Sequence, residues 1–362
     1  MFLTPGSEPE LLCGPILARE ITEQKNGGVK MRRVKTKIFF EGDVKGRLDF
    51  PPAIKAMESA FAAYSEGRAV MPGVINLDLP QFQGEVHVKG AYMEGDDYYV
   101  IKVASGFYQN PKLGLPVGNG LMLIFKAQTG ELEAVILDNG HLTEMRTAAA
   151  GAVAAKYLAK DNISKVAVIG SGTQARYQLM ALAEVRGFKK VFVWSRHPEN
   201  VSWYIEEMGR ILPGVEFFAA SSPKEAVCQA DLVITATPSR EPIIRAEWLK
   251  PGVHITAMGS DGHDKQELFP EVLARADKIF CDSIAQCRRL GEVHHALEAG
   301  VIDQKKISGE IGEIILGRKI GRQFSREITV ADLTGLGVQD AAIAGVFLQL
   351  AEEARLTGLI LN

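Results

Sequence analysis

The spacing of apolar and polar residues along the chain changes rhythm near Asp161. Before that point VKTKIFF reads as a strand, and Pro51 and Pro52 open AIKAMESAFAAYSEG, where Ala, Met and Phe recur at helical spacing. GEVHVKGAYM, DDYYVIKVASGFY and GLMLIFKAQTGELEAVILD follow as β-type runs, the turn AQTGE dividing the last of them into a hairpin. The region predicts antiparallel sheet plus helix, closed by the alanine-rich helix HLTEMRTAAAGAVAAKYLAK, whose small side chains suit tight packing on a neighbour. After Asp161 short β-branched runs alternate with helical ones: KVAVIG, QARYQLMALAEVRG and KVFVWSR, then ADLVITAT, HITAMG and KIFCD. That alternation predicts a parallel doubly wound sheet, so the fold class is α/β. The last segment, DAAIAGVFLQLAEEARLTG, reads as an amphipathic helix behind the loop DLTGLGVQD and returns to the first region.

Bulk composition narrows the partners more than the fold. A chain of 362 residues exceeds one ordinary core, and two α/β domains are the default at this length. A hydrophobic fraction of 46% with 23% charged residues belongs to a soluble globular protein. The net charge of -3, with no long Lys/Arg run, gives no electrostatic ground for nucleic acid or an acidic membrane, which leaves a small-molecule partner. Cys13, Cys228, Cys281 and Cys287 are scattered without a CxxC, as expected of reduced thiols in the cytoplasm. LLCGPIL is short and broken by Gly14 and Pro15, and no apolar run approaches ~18 residues, so no signal core or membrane span is expected. Residues 1–30 are polar and turn-rich, which predicts a weakly ordered leader.

Candidate chemistry begins at Gly170-Ser171-Gly172, which follows a buried-strand pattern and opens a helix through Thr173, Gln174 and Ala175. Glycines permit a tight turn and close backbone approach, and a helix N-terminus offers unpaired N–H groups to a pyrophosphate. Ala175 stands where the third glycine of a dinucleotide loop falls and is small enough for close helix packing. The alternative is a tight strand-to-helix turn with no ligand. About 20 residues on, where NAD sites carry an acid for the ribose, stand Trp194, Ser195 and Arg196. Ser195 and Arg196 suit a 2′-phosphate, so NADP is the expected cofactor and NAD the alternative, with Arg196 then merely solvated. Lys102 ends the apolar strand YYVIK, where a lysine fits a plain core badly. Desolvation would bring its pKa towards an acid/base range, unless the side chain snorkels to solvent. His294 and His295 are adjacent on a helix and no HExxH-like spacing occurs, so no metal is expected; His87 and His263 are candidates only for the pocket border.

Five stretches in order, IKVASGFYQNPKLGLP, MRTAAAGAVAAKYLA, GSGTQA, MGSDGHDKQEL and DLTGLGVQD, together resemble the ornithine cyclodeaminase/mu-crystallin family. That family includes alanine dehydrogenases and ketimine reductases, and NPKLGLP through RTAAAG also resembles members tied to ectoine utilisation. The resemblance runs from about Lys35 to the C-terminus. It implies a Rossmann dinucleotide-binding domain over 159–330, a substrate-binding and dimerisation α+β domain over 31–158 plus 331–362, and a homodimer or higher homo-oligomer. By the same resemblance Lys102 is the active-site lysine, Arg146 grips a substrate carboxylate with its bidentate fork, and Asp261 handles the substrate amine. A carboxylate after a Rossmann strand sits where ligands bind in open α/β sheets, though Asp after Gly-Ser also caps loops. Thr147 and Thr237 join the expected cofactor contacts, and Lys265 is expected to be structural. Many members carry a second arginine in a stretch like MPPR, where this chain has MPGV and Val74. Either Arg146 and Lys102 hold the carboxylate alone, or Lys89 in HVKG fills the gap, or the substrate differs. The implied function is an NAD(P)-dependent imine reductase or amino-acid dehydrogenase. An ammonia-releasing cyclodeaminase and a non-catalytic mu-crystallin-like binder are the rivals, the last disfavoured by the joint presence of Lys102, Arg146 and Asp261.

Overall fold

The computed structural model describes residues 35–361; the leader expected over 1–30, with Cys13, lies outside the described residues. A first sheet is built from β1 (Thr36–Phe40), β2 (Ala69–Val70), β3 (Ile75–Leu79), β4 (Gly84–Met93), β5 (Tyr98–Phe107), β6 (Gly118–Lys126) and β7 (Leu132–Leu137). Neighbours from β3 to β7 pair antiparallel, whereas β1 runs parallel to β7. The β6–β7 pair is the hairpin expected at AQTGE.

The second sheet comprises β8 (Lys165–Ile169), β9 (Lys190–Trp194), β10 (Glu216–Ala219), β11 (Leu232–Thr235), β12 (His254–Ala257), β13 (Lys278–Cys281), β14 (Gly309–Glu310) and β15 (Thr329–Asp332). Its order, β10-β9-β8-β11-β12-β15-β13-β14, is parallel throughout. The chain leaves β10 at one side and resumes at β11 beside β8, which makes the β8/β11 crevice the switch point where such sheets bind ligands. Last, β16 (Leu359–Leu361) returns to pair with β1. Both sheets belong to one compact unit, Lys35–Asn362.

Three helices cover the first sheet. Phe50–Ser65 carries its prolines in the first turn and buries Ala53, Met57, Ala60 and Phe61 on one stripe. It packs on His141–Leu158 and on Gly337–Glu353, and the last of these lies across β4 and β5. His141–Leu158 also packs tightly on the helix Thr173–Ala183: a Cβ on Gly151 would fall 2.0 Å from the Gln178 side-chain oxygen. The small residues of RTAAAG thus serve the contact that joins the two sheets' layers.

Three details depart from the sequence reading. The last helix begins at Gly337, so Gln339 and Asp340 lie in its buried first turn rather than in a loop ahead of it. It is also buried along most of its first half, more than an amphipathic surface helix would be. Strand β15 ends at Asp332, so the parallel sheet extends past residue 330. No helix among the described residues is long and apolar enough to cross a membrane.

Candidate active site

A cavity of about 680 Å³ opens where the ends of β8, β11, β12 and β15 face β4, β5 and the start of helix His141–Leu158. Gly172, Thr173, Gln174 and Thr237 contribute from the parallel sheet, and Lys89, Lys102 and Arg146 from the other layer. Asp261 lines it from the loop after β12.

The glycine loop is shaped by two different demands. Gly170 has φ +123°, and a Cβ there would lie 2.6 Å from the Ala236 carbonyl oxygen, so glycine is required by backbone and neighbour alike. Gly172 has ordinary extended geometry and nothing within 4 Å of its would-be Cβ. It caps helix Thr173–Ala183 with no side-chain bond to the first-turn N–H groups, which leaves them available beside the cavity. That open cradle fits a pyrophosphate. Ala175 is fully buried and its carbonyl accepts from Tyr204 Oη at 3.0 Å, so it serves helix packing rather than the cavity wall. Ser171 also stays off the wall, its carbonyl accepting from Arg176. Thr147 lines the cavity, as does Thr237, whose N–H and Oγ1 donate to Glu267 Oε1 at 2.6 and 2.7 Å. Ser195 and Arg196 follow β9 beside the glycine loop, but neither lines the cavity, and Arg196 is exposed.

At the other wall Lys89 and Lys102 stand directly opposite each other on β4 and β5 and are both buried. Lys89 Nζ donates to the carbonyls of Gly335 and Thr334 at 2.8 and 3.2 Å. Lys102 Nζ lies 3.7 Å from Asp340 Oδ2, and that buried oxygen has no hydrogen-bond partner. Arg146 Nε donates to Asp340 Oδ1 and its Nη1 to Gln339 Oε1, both at 2.9 Å. An acid therefore pairs with Arg146, and it is Asp340. Lys102 and Arg146 share the Asp340 carboxylate with Lys89 buried close by, an excess of basic groups suited to a ligand carboxylate. Burial pushes the Lys102 ammonium down to about 7, with Asp340 opposing the shift and Arg146 and Lys89 adding to it. Lys89 is lowered too, first by burial and then by Arg146.

Asp261 sits in a separate chain of charges. Lys265 Nζ bridges Asp261 Oδ1 at 2.7 Å and Glu85 Oε1 at 2.6 Å, and Tyr108 Oη donates to the same Glu85 oxygen at 2.7 Å. Burial alone would raise the Asp261 carboxyl, but Lys265, with His87 and Lys89, outweighs it and holds the group below the usual carboxylate range. Lys265 therefore fixes the loop and also lines the cavity. Sequence reasoning did not single out Glu85, Tyr108, Gln339 or Asp340. Glu144 is raised by burial and accepts from Gln174. For Glu85 there was no signal, since 180 residues separate it from Lys265.

The model of the ornithine cyclodeaminase/mu-crystallin family matches residues 34–354. An uncharacterised cyclodeaminase of Sinorhizobium fredii is 46% identical over 88% of this chain and 96% of its own length. The structure of Thermococcus litoralis Delta(1)-pyrroline-2-carboxylate reductase, in complex with NADH and L-proline, superposes with a TM-score of 0.85 at 32% identity, covering 90% of this chain and 99% of that one. An archaeal alanine dehydrogenase dimer with bound NAD gives 0.84 at 34% identity, covering 91% and 99%. The resemblance carried by IKVASGF, RTAAAG, GSGTQA, GSDGHDKQEL and DLTGLGVQD is thereby upheld, and so is the α/β architecture of a parallel Rossmann-like sheet beside a mixed one. The chain belongs to the ornithine cyclodeaminase/mu-crystallin family.

Proposed function

We propose that this chain is a nicotinamide-dependent oxidoreductase that interconverts the amine and imine of a small α-amino acid at the Cα–N bond. The observation that carries the reading is that Lys89, Lys102 and Arg146 converge, buried, in the cavity whose opposite elements present the Gly172 helix N-terminus. When bound, the nicotinamide would exchange a hydride with the substrate Cα. Arg146, supported by Lys89, would orient the substrate carboxylate. Lys102, its pKa brought to about 7, would pass a proton to the imine nitrogen during reduction. Asp261 is held ionised by Lys265, which suits it to accept from a cationic amine or iminium rather than to act as the acid.

The NADP preference read from Ser195 and Arg196 finds no support in the comparisons, whose described ligands are NADH and NAD. NAD(H) is accordingly the cofactor proposed, and Thr147, Thr173, Gln174 and Thr237 line its share of the cavity. A cyclodeaminase is the second reading, favoured by the 46% identical Sinorhizobium relative.

The test is turnover of purified protein with NADH and with NADPH, against pyrroline-2-carboxylate, piperideine-2-carboxylate and pyruvate plus ammonia. Ammonia release from ornithine and lysine with catalytic NAD⁺ is followed in parallel. The proposal expects net NADH oxidation with at least one imine, reduced ~100-fold or more by Lys102→Met. Ammonia release without net cofactor change supports the cyclodeaminase instead.

A further inference from the structure

Outside the cavity lining, the structure brings together three ligand-type side chains that the sequence spacing did not reveal. His263 comes from the loop after β12, and His294 and Glu298 lie four residues apart on the helix Gly291–Glu298. One ligand atom from each falls within 4.8 Å of the others. The sequence expectation of no metal considered only spacings within one segment, and here the third ligand is supplied by a loop about 30 residues away.

His294 is 6% exposed, and its two ring nitrogens are differently engaged. Nδ1 lies 3.3 Å from the Arg288 carbonyl oxygen. A carbonyl only accepts, so Nδ1–H donates to it and Nε2 is left as the ligand atom. Nε2 is buried with no hydrogen-bond partner and faces Glu298 Oε2 at 3.4 Å. That separation is long for a hydrogen bond, but two ligands at ~2.0–2.2 Å on one tetrahedral zinc ion stand about 3.4 Å apart. The His263 ring is tilted 53° to that of His294 with centroids 4.6 Å apart, so the two are not stacked.

Loop and helix are already fastened to each other. His295 Nε2 donates to the Lys265 carbonyl at 2.8 Å, and Glu292 accepts from the N–H groups of Glu267 and Leu268 at 2.8 and 3.0 Å. The ligands are thus held near one another before any ion arrives.

We propose that His263, His294 and Glu298 form a binding site for a zinc-class divalent transition metal, with water completing the tetrahedron. His263 is two residues from Asp261, so a bound ion ties the Asp261 loop to helix Gly291–Glu298.

The full chain, stripped with a chelator, is titrated with Zn²⁺ by calorimetry and with Co²⁺ by visible absorption, whose d–d band intensity reports four-coordination. One ion per chain is expected, with affinity lowered at least tenfold by His263→Ala and by Glu298→Gln, two exposed positions that leave the core intact. His294→Ala should abolish binding, and His197→Ala, an exposed histidine paired with Glu199 elsewhere, should not change it. Absence of Zn²⁺ binding to the parent chain overturns the proposal. So does binding that persists unchanged in both exposed variants, because that ion would be an adventitious surface one.

Discussion

Lys102 concentrates the proposed chemistry in one side chain whose charge is held in place by Asp340. Burial lowers its pKa to about 7, and the nearby carboxylate keeps it from falling further. Reduction that draws a proton from Lys102 should therefore decline as pH rises through about 7. Asp340→Asn removes the opposing anion, so the descending limb of kcat/KM against pH should move to lower pH; an unmoved limb would detach that limb from Lys102. The same shift bears on stability with a definite sign. Between about 7 and the ordinary value of 10.5 the native state binds fewer protons at this lysine than the unfolded chain. Its contribution to stability must rise with pH across that window. Lys102→Met removes the buried ammonium, so at pH 7 the variant should unfold at a temperature equal to or above that of the parent while losing turnover. A drop in Tm of several degrees would show that the ion pair with Asp340 outweighs the cost of burying Lys102.

Among the elements, the turn between β8 and helix Thr173–Ala183 separates stability from binding at two glycines. Gly170→Ala forces a side chain onto φ +123° and against the Ala236 carbonyl, so it should cost ~1–3 kcal/mol in urea unfolding. Gly172→Ala meets open space at an ordinary φ and should leave the midpoint unchanged while weakening NADH binding, read by fluorescence titration. Equal loss of stability in both would mean that the cradle is only a turn. Arg196→Asp extends the contrast to the end of β9. With Arg196 exposed and off the cavity wall, the substitution should leave NADH turnover nearly unchanged. This stretch was legible from sequence because strand, turn and helix are consecutive and each has its own period. The same holds for the β6–β7 hairpin and for the helix that carries Arg146. Strand β15 was not legible: Thr329–Asp332 is four residues buried on both faces, so it shows no alternation, and it ends in an acid. Asp340 was missed because the glycines of DLTGLGVQD suggest a longer loop, whereas the helix starts at Gly337 and carries Gln339 and Asp340 to Arg146. Glu85 and His263 depend on contacts made only when distant segments fold together.

For the molecule as a whole, one edge of the first sheet is left with apolar side chains in water. Ile75 and Leu77 on β3 are 59% and 55% exposed, and Phe82 just beyond is 59% exposed. Among the described residues β3 pairs only with β4, and the segment around Tyr108 is tied to Gln83 by a backbone bond, which brings Leu113 and Leu115, also exposed, into the same region. Such a surface favours burial against another copy, and an archaeal relative is described as a dimer. Ile75→Lys together with Leu77→Lys places charge on this edge, with no buried contact of either residue to lose. If this edge is where two copies meet, light scattering should report twice the chain's mass for the parent and, for the double variant, a single chain that keeps its thermal transition. Because β3 braces β4, which carries Glu85, His87 and Lys89, and Asn76 bonds His87 at 2.7 Å, the separated subunits should also turn over more slowly. A parent of single-chain mass, or an unaltered mass in the double variant, would show that two copies do not meet at this edge.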